Sequence, residues 1–252
     1  MSVIALASAK GSPGVTTVAL ALAAVWSRRV LVAECDPAGG DLACWFGLPS
    51  TPGMLSLAPA ARRRLSPADV WAHVQVVSGS LPVLLGLVRP DQASALGPLW
   101  QALPAGFAEI GADVLVDCGR LDVAPPTLPL LRAADVTVLV ARPDAAGIAH
   151  AEPRLRMLAH AGVTTSVVLV GERPYRAAEV HAALAERGIA MGVLGAVAED
   201  RAAAKRLAGA PRSERALGRS LLIRSARLLA DALDSRLARP VDDREVRPDA
   251  RR

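Results

Sequence analysis

The sequence predicts a single α/β domain with a mostly parallel, twisted sheet and helices on both faces. Three observations support this prediction. The chain has 252 residues, which suits one large domain with a substantial core. Short apolar runs alternate with longer segments of helical periodicity, as in a series of βαβ units. The apolar runs are nearly continuous in Val, Leu, Ile and Ala, which is typical of strands buried on both faces.

The apolar runs and the helical patterns locate the elements along the chain. The segment 48–80 is rich in Pro, Ser and Arg, so we expect loops and a short helix after Pro67 there, outside the sheet. We expect a domain over residues 1–239 and a disordered, charged tail over 240–252, where acids and bases alternate without an apolar stripe. Strands are predicted at 2–8, 30–34, 82–87, 113–117, 135–141, 166–171 and 192–197, and helices at 15–28, 91–103, 125–133, 147–161, 176–187, 200–208 and 214–238.

The composition excludes a disordered chain and predicts no membrane span. Hydrophobic residues make up 52% of the chain, and no apolar run reaches the roughly 18 residues of a membrane-spanning helix. The apolar segment from Met1 to Leu6 lacks the charged n-region and the cleavage site of a signal peptide, so we expect a strand there. The three cysteines lack paired spacing, which argues against disulfides and zinc. We therefore expect a cytoplasmic protein.

The net charge does not by itself specify a partner. It is +5, and nearly all of the basic residues are arginines, since Lys10 and Lys205 are the only lysines. A GC-rich genome favours Arg, Ala, Gly and Pro codons and accounts for this bias, and basic charge alone is a weak sign of nucleic-acid binding. Nucleic acid is therefore left open as a partner.

A glycine-containing loop follows the first predicted strand directly and precedes a predicted helix. This order is the context that a phosphate-binding loop requires, because successive backbone N–H groups and the helix N-terminus then face the phosphates. Thr16, at the start of the helix, suits Mg²⁺ and a phosphate oxygen, and Thr17 suits another phosphate. The same letters also fit a glycine-rich turn that binds nothing. The loop reads Ala9-Lys10-Gly11-Ser12-Pro13-Gly14-Val15-Thr16-Thr17.

The loop resembles the deviant Walker A motif, K-G-G-x-G-K-[ST], of the ParA/MinD family of P-loop ATPases. Lys10 takes the place of the signature lysine, which in the family reaches the phosphates across a nucleotide-sandwich dimer. Ser12 replaces a glycine, and Val15 replaces the lysine that reaches the β- and γ-phosphates. A charge-assisted contact is worth about 1.5–3 kcal/mol, so its loss weakens binding roughly 10–100-fold. Lys10 is expected to replace part of this charge, from its own subunit or from a partner. Gly11, Gly14, Thr16 and Thr17 match the motif.

Two acidic segments resemble the switch and Walker B regions of the same family. Asp36, after the second strand, matches the acid that orients the attacking water or the metal shell in relatives, and Glu34 stands in for a first acid. Asp41 fits either a helix cap or a functional role. Asp117 ends a run of apolar residues, as the Walker B acid that holds Mg²⁺ through water does, and the role of Arg120 after it is open.

Three remaining features set limits on the resemblance, which covers about residues 2–236. The chain has no Asn, so the V-x-N-R asparagine that contacts adenine in relatives has no counterpart, and backbone groups near 197–200 are expected to serve. The final helix fits either a membrane-surface helix or one that packs on the sheet, and we expect the second. His73, His150, His160 and His181 show no metal-ligand spacing and are expected on helix faces or the surface.

The resemblance implies ATP and Mg²⁺ as cofactors and a homodimer that forms with nucleotide. Two functions remain open. One is a positioning or assembly ATPase with weak or absent hydrolysis, closest to the CpaE/TadZ-like branch, which works with protein partners in pilus or secretion machines. The other is a scaffold that keeps the fold without hydrolysis. Membrane association is expected to be peripheral at most, on the inner face of the cell membrane.

Overall fold

Eight strands form one sheet in this computed structural model, which describes residues 1–11, 13–77, 80–209 and 214–238. Neighbouring strands are parallel except for the third and fourth, which pair antiparallel. The strands are β1 (Val3–Ser8), β2 (Val30–Glu34), β3 (Gln75–Val77), β4 (Leu81–Leu84), β5 (Asp113–Arg120), β6 (Val136–Ala141), β7 (Thr165–Val170) and β8 (Val193–Val197). Their order across the sheet is β3-β4-β2-β5-β1-β6-β7-β8.

Helices connect the strands and cover both faces of the sheet. Two 3₁₀ helices, at Ala58–Arg62 and Pro90–Leu96, add to the α-helices. The α-helices are α1 (Val15–Ala23), α2 (Leu42–Phe46), α3 (Met54–Leu57), α4 (Pro67–Trp71), α5 (Gly97–Ala108), α6 (Leu128–Ala133), α7 (Ala145–His160), α8 (Ala177–Glu186), α9 (Arg201–Leu207), α10 (Glu214–Gly218) and α11 (Leu221–Leu237).

Alternate side chains of the central strands enter two separate cores. In β1, Ala5 and Ala7 pack with residues of α5, α6, α7 and α8. Ile4 and Leu6 of the same strand pack with residues of α1, α9 and α11. This division follows from the alternation of side chains along a strand, and it explains why β1 is apolar at successive positions. The predicted fold class, a mostly parallel sheet with helices on both faces, is confirmed.

One strand lies in a segment that we expected outside the sheet. Within 48–80, β3 pairs antiparallel with β4, so that expectation is wrong for these three residues. A three-residue edge strand is too short to show an alternating pattern, and Val76 at its centre is exposed. The short helix after Pro67 is confirmed as α4, which Ser66 caps by accepting the N–H of Asp69.

Two predicted helices are shorter or divided. The helix predicted at 15–28 ends at Ala23, and the chain beyond it is held by Asp113, which accepts bonds from Trp26 and Arg28. The helix predicted at 214–238 is α10 followed by α11, because Ser220 caps α11 by accepting the N–H of Ile223.

Several other predictions differ only at the ends. The helix predicted at 91–103 begins as the second 3₁₀ helix and continues as α5 to Ala108.

The final helix packs on the sheet, as expected. The inner face of α11 contacts the second core, although Leu221 and Leu228 of its apolar stripe are exposed. The predicted tail 240–252 lies outside the described residues.

The carboxyl ends of β2, β5 and β1 lie side by side near the centre of the sheet. Leu6 of β1 and Glu34 of β2 both pair with Asp117 of β5, so β5 lies between β1 and β2. The loops after these strands therefore converge at one edge, where open α/β sheets form their ligand crevice. Among the described helices, none is long and apolar enough to cross a membrane.

Candidate functional site

The loop between β1 and α1 has the backbone geometry of an anion cradle. Gly11 and Gly14 have left-handed φ angles of 68° and 101°, which glycine adopts without a Cβ penalty. Gly14 is the N-cap residue of α1, and no side chain caps the helix there. The N–H groups of its first turn therefore remain available to an anion, which the helix dipole also favours. Ser12 of the predicted loop lies outside the described residues.

A cavity of about 530 Å³ opens beside this loop. It is bounded by three segments: the loop with the start of α1, the residues after β2, and the end of β5. Its described lining residues are Ser8, Gly11, Pro13, Gly14, Val15, Thr16, Thr17, Glu34, Asp36, Ala38, Gly39, Gly40, Asp41, Trp45, Asp117, Gly119 and Arg120. Most of the residues predicted for the site are thus brought together.

Thr16 and Asp117, the two residues that the sequence assigns to Mg²⁺, are in direct contact in this cavity. Thr16 Oγ1 donates to Asp117 Oδ2 at 2.6 Å, and Asp117 Oδ1 accepts the N–H of Gly119 at 3.0 Å. Burial raises the pKa of Asp117 to about 6, against the lowering effect of these two hydrogen bonds. Because burial makes the ionised carboxylate costly without a cation, the pair fits a divalent metal ion.

The number of side-chain ligands in this pair suits Mg²⁺ in particular. Within the described residues, no group of three or more His, Cys, Asp or Glu side chains forms an all-protein metal site. Mg²⁺ in nucleotide sites is held by one or two side chains, with phosphates and waters completing the shell. A hydroxyl and a carboxylate in hydrogen-bond contact therefore provide the ligand set that a phosphate-bound Mg²⁺ requires.

Asp36 lines the cavity and packs on the end of β5. Its Oδ1 accepts the N–H of Ala38 at 2.7 Å. A Cβ added to Gly119 would lie 1.9 Å from Asp36 Oδ2, so the carboxylate rests directly on the glycine backbone. Burial raises the pKa of Asp36, and the positive charge of Arg120 opposes that shift.

Among known proteins, the chain is similar to solved structures. No protein-family model matches the chain, and no curated protein matches it in sequence. Solved structures match nearly its whole length. The ParA family ATPase from Chlorobium tepidum TLS superposes with a TM-score of 0.72 at 17% identity, over 91% of this chain and 98% of that one.

Two further matches are ligand complexes. The septum site-determining protein MinD from Pyrococcus horikoshii OT3, complexed with Mg-ADP, has a TM-score of 0.71 at 17% identity, over 92% of this chain and 96% of that one. A Cyanothece McdA variant in complex with ATP has a TM-score of 0.68 at 19% identity, over 93% of this chain and 96% of that one. This chain has the ParA/MinD fold.

Glu34 anchors the segment after β2 in this ParA/MinD fold. Its side chain is 2% exposed, and its two oxygens accept the N–H groups of Leu42 and Gly86, each at 2.9 Å. Burial raises the pKa of Glu34 to about 7. A Cβ on Gly40 would lie 1.9 Å from this carboxyl group, so the glycine is required by close packing. The sequence signal for this role is the acid two residues before Asp36.

Asp41 and Trp45 complete the far wall of the cavity. Asp41 occupies the N-cap position of α2, but its side chain makes no capping hydrogen bond. The interpretation of Asp41 as a helix cap is therefore not supported. Its place in the cavity lining agrees with the alternative, a functional role. Trp45 follows one helical turn later on α2, and the sequence motifs did not indicate it as a residue of the site.

Lys10 lies apart from the 530 Å³ cavity beside the loop. Its Nζ is 2.9 Å from His150 Nε2 on α7, and both residues line a separate cavity of about 190 Å³ between the loop and α7. Lys10 is not among the described residues that line the 530 Å³ cavity. The contact with His150 was not anticipated, because the two residues are 140 positions apart.

Another cavity, of about 720 Å³, lies at the ends of β7 and β8 beside α11. It includes Gly171, Glu172 and Arg173, which stand where the family motif has V-x-N-R, together with Ala198 and Glu199. The predicted backbone groups near 197–200 thus reach a cavity wall. Leu221 and Leu228 of α11, which line it too, are exposed.

Proposed function

We propose that this chain binds ATP with Mg²⁺ and acts as a nucleotide-dependent positioning or assembly factor with weak or absent hydrolysis. The observation that carries this proposal is the 2.6 Å contact between Thr16 and Asp117 beside the uncapped start of α1. It combines a metal-binding pair with an anion cradle at one place. Structures with the same fold include complexes with Mg-ADP and with ATP, which supports the choice of ligand.

The chain's own groups have distinct roles in this proposal. The backbone from Gly11 to Thr17 holds the phosphates, and Thr16 with Asp117 holds Mg²⁺. Bound Mg²⁺ neutralises charge on the phosphate oxygens. Asp36 is oriented by the Ala38 N–H and positions a water molecule for attack on the terminal phosphate.

Weak hydrolysis follows from the charge of the cavity. Phosphoryl transfer needs positive charge near the phosphates, and Val15 supplies none at the position of the family's phosphate-binding lysine. Val15 is also the observation that favours the second candidate function, a non-hydrolysing scaffold that keeps the fold.

A nucleotide-dependent homodimer completes the proposed site. Lys10 is directed to His150 and away from its own phosphate cavity, so a second copy of the chain is the partner whose phosphates it would reach. The degenerate loop is the reason for assigning the chain to the CpaE/TadZ-like branch, in which pilus or secretion machines supply the protein partners. The adenine base is assigned to the cavity at the ends of β7 and β8.

Calorimetry with ATP, in the presence and absence of Mg²⁺, tests the proposed binding. Thr16→Ala removes the hydroxyl that touches Asp117, so we expect it to abolish most of the Mg²⁺-dependent gain in affinity. Thr16→Ser keeps the hydroxyl and is the matched control, which should bind ATP like the parent. No binding by the parent up to millimolar ATP would reject this function in favour of the scaffold.

A further inference from the structure

The phosphate cavity contains an excess of negative charge. Four carboxylic acids, Glu34, Asp36, Asp41 and Asp117, contribute to its described lining. Among the described lining residues, Arg120 is the single basic one. A nucleoside triphosphate adds further negative charge, so this guanidinium is the cation of the same subunit that is placed to meet it.

A β-bulge brings Arg120 to the same cavity as Asp117. In a regular strand, residues three positions apart face opposite sides of the sheet. Here Leu6 pairs with Asp117 and Ser8 pairs with Arg120, so β5 carries one residue more than β1 over this stretch. Gly119 within the bulge has a left-handed φ of 58°. Bulges redirect side chains next to active sites, and this one allows both Asp117 and Arg120 to line the cavity.

Arg120 is not committed to an ion pair. Within the described part of the chain, no carboxylate lies within salt-bridge distance of its guanidinium, whereas Arg28 is paired with both Asp113 and Asp234. Arg120 is exposed, and its charge acts on Asp36 through space. An exposed guanidinium at the rim of a cavity is free to bind a phosphate with two parallel hydrogen bonds.

We propose that Arg120 binds the terminal phosphate of the nucleotide and supplies, from the same subunit, the positive charge that Val15 does not. This inference rests on the proposed ATP binding. Arg120 follows Gly119, whose backbone supports Asp36, so it stands on the side of the cavity where the attacking water is assigned. The phosphate nearest to that water is the terminal one. Arg120 is therefore expected to distinguish ATP from ADP.

The test compares affinities for a non-hydrolysable ATP analogue and for ADP by calorimetry, both with Mg²⁺. Arg120→Gln should weaken binding of the ATP analogue by roughly 10–100-fold, the range expected for one lost charge-assisted contact. Binding of ADP should change much less. Arg64→Gln removes the same charge from an exposed position outside the cavity, and it should leave both affinities unchanged.

Two further variants secure the interpretation. Arg120→Lys keeps the charge but not the bidentate geometry, so its affinity for the ATP analogue should lie between those of the parent and Arg120→Gln. Adding Val15→Lys to Arg120→Gln should restore affinity, because it returns a cation to the cavity. Circular dichroism checks that each variant is folded.

The possible results separate this inference from the proposed function. If the parent does not bind ATP, both are wrong. If the parent binds the ATP analogue and Arg120→Gln binds it equally well, ATP binding stands and the role of Arg120 is rejected. If Arg120→Gln loses affinity equally for ATP analogue and ADP, the assignment to the terminal phosphate is rejected.

Discussion

At the scale of single residues, burial determines the charge state of the candidate site. Asp117 and Glu34 are each at most 2% exposed, and burial raises the pKa of Asp117 to about 6 and that of Glu34 to about 7. The two acids differ in what they contact. Asp117 touches Thr16 and faces the cavity, whereas both oxygens of Glu34 are occupied by backbone N–H groups. Glu34 lines the cavity too, but both of its oxygens hold the backbone of the segments after β2 and β4 in place.

Glu34 makes the stability of the protein depend on pH. Burial raises the pKa of Glu34 from its ordinary value of 4.5 to about 7, so the folded state keeps the proton to a higher pH than the unfolded state does. The stabilisation is complete below pH 4.5 and is lost as pH rises to about 7, a change of about 3 kcal/mol in the free energy of unfolding. Glu34→Gln should remove this part of the slope, as urea unfolding between pH 4.5 and 8 will measure.

An exposed glutamate provides the control for this measurement. Glu109→Gln changes the same functional group at the end of α5, and the slope of the parent should persist in it. The same pH dependence in Glu34→Gln as in the parent would contradict the assignment. The amide of Gln can accept only one of the two N–H bonds that Glu34 accepts, so Glu34→Gln also lowers the overall stability. The assignment is therefore tested by the slope of the unfolding free energy against pH and not by its absolute value.

At the scale of elements, the end of β5 holds the site together. Asp117, Gly119 and Arg120 follow one another there, and the bulge opposite β1 directs both charged residues to the cavity. Gly119 is needed twice, for its left-handed φ of 58° and for its contact with the carboxylate of Asp36. A single position thus connects β5 with the segment after β2.

Replacing Gly119 by Ala should cost more than strain alone. A left-handed conformation costs an alanine about 1–2 kcal/mol, and the new Cβ would also meet Asp36 Oδ2 at 1.9 Å. Gly111→Ala is the matched control, because Gly111 has a φ of 76° and open space around its Cβ position. Chemical denaturation should show a larger loss for Gly119→Ala, and calorimetry should show weaker ATP binding in that variant alone. Equal losses of stability would argue against close packing on Asp36.

The sequence predicted the parts of the site that depend on neighbouring residues. Asp117 follows three consecutive apolar residues of β5, and Thr16 lies at the start of a helix after glycines, so both positions could be assigned from local patterns. The bulge depends on the register between β1 and β5, which are more than a hundred residues apart. The direction of Lys10 depends on His150, which is equally remote. Such long-range contacts leave no local pattern, which is why Arg120 and Lys10 could not be placed from sequence.

At the scale of the whole molecule, the loop divides its functions between two surfaces. Thr16 lines the cavity beside the loop, Lys10 lines the neighbouring cavity against α7, and Gly11 lines both. Arg120 is exposed and lines the first cavity. Under the proposed function, Lys10 acts on a nucleotide only when a second copy of the chain is present. The proposed function thus assigns Arg120 to the nucleotide of its own subunit and Lys10 to that of a partner.

This division predicts how Lys10 variants behave. If Lys10 reaches the phosphates of a second copy, Lys10→Ala should retain most of the ATP affinity of the monomer and lose the ATP-dependent dimer, as analytical ultracentrifugation will measure. Lys205→Ala, on α9, removes the other lysine of the chain and should dimerise like the parent. His150→Ala releases the Lys10 ammonium from its 2.9 Å contact, and its dimer should also persist. A Lys10→Ala protein that dimerises with ATP like the parent would reject the role in a second subunit, and Lys10 would then be a loop residue whose partner is His150 alone.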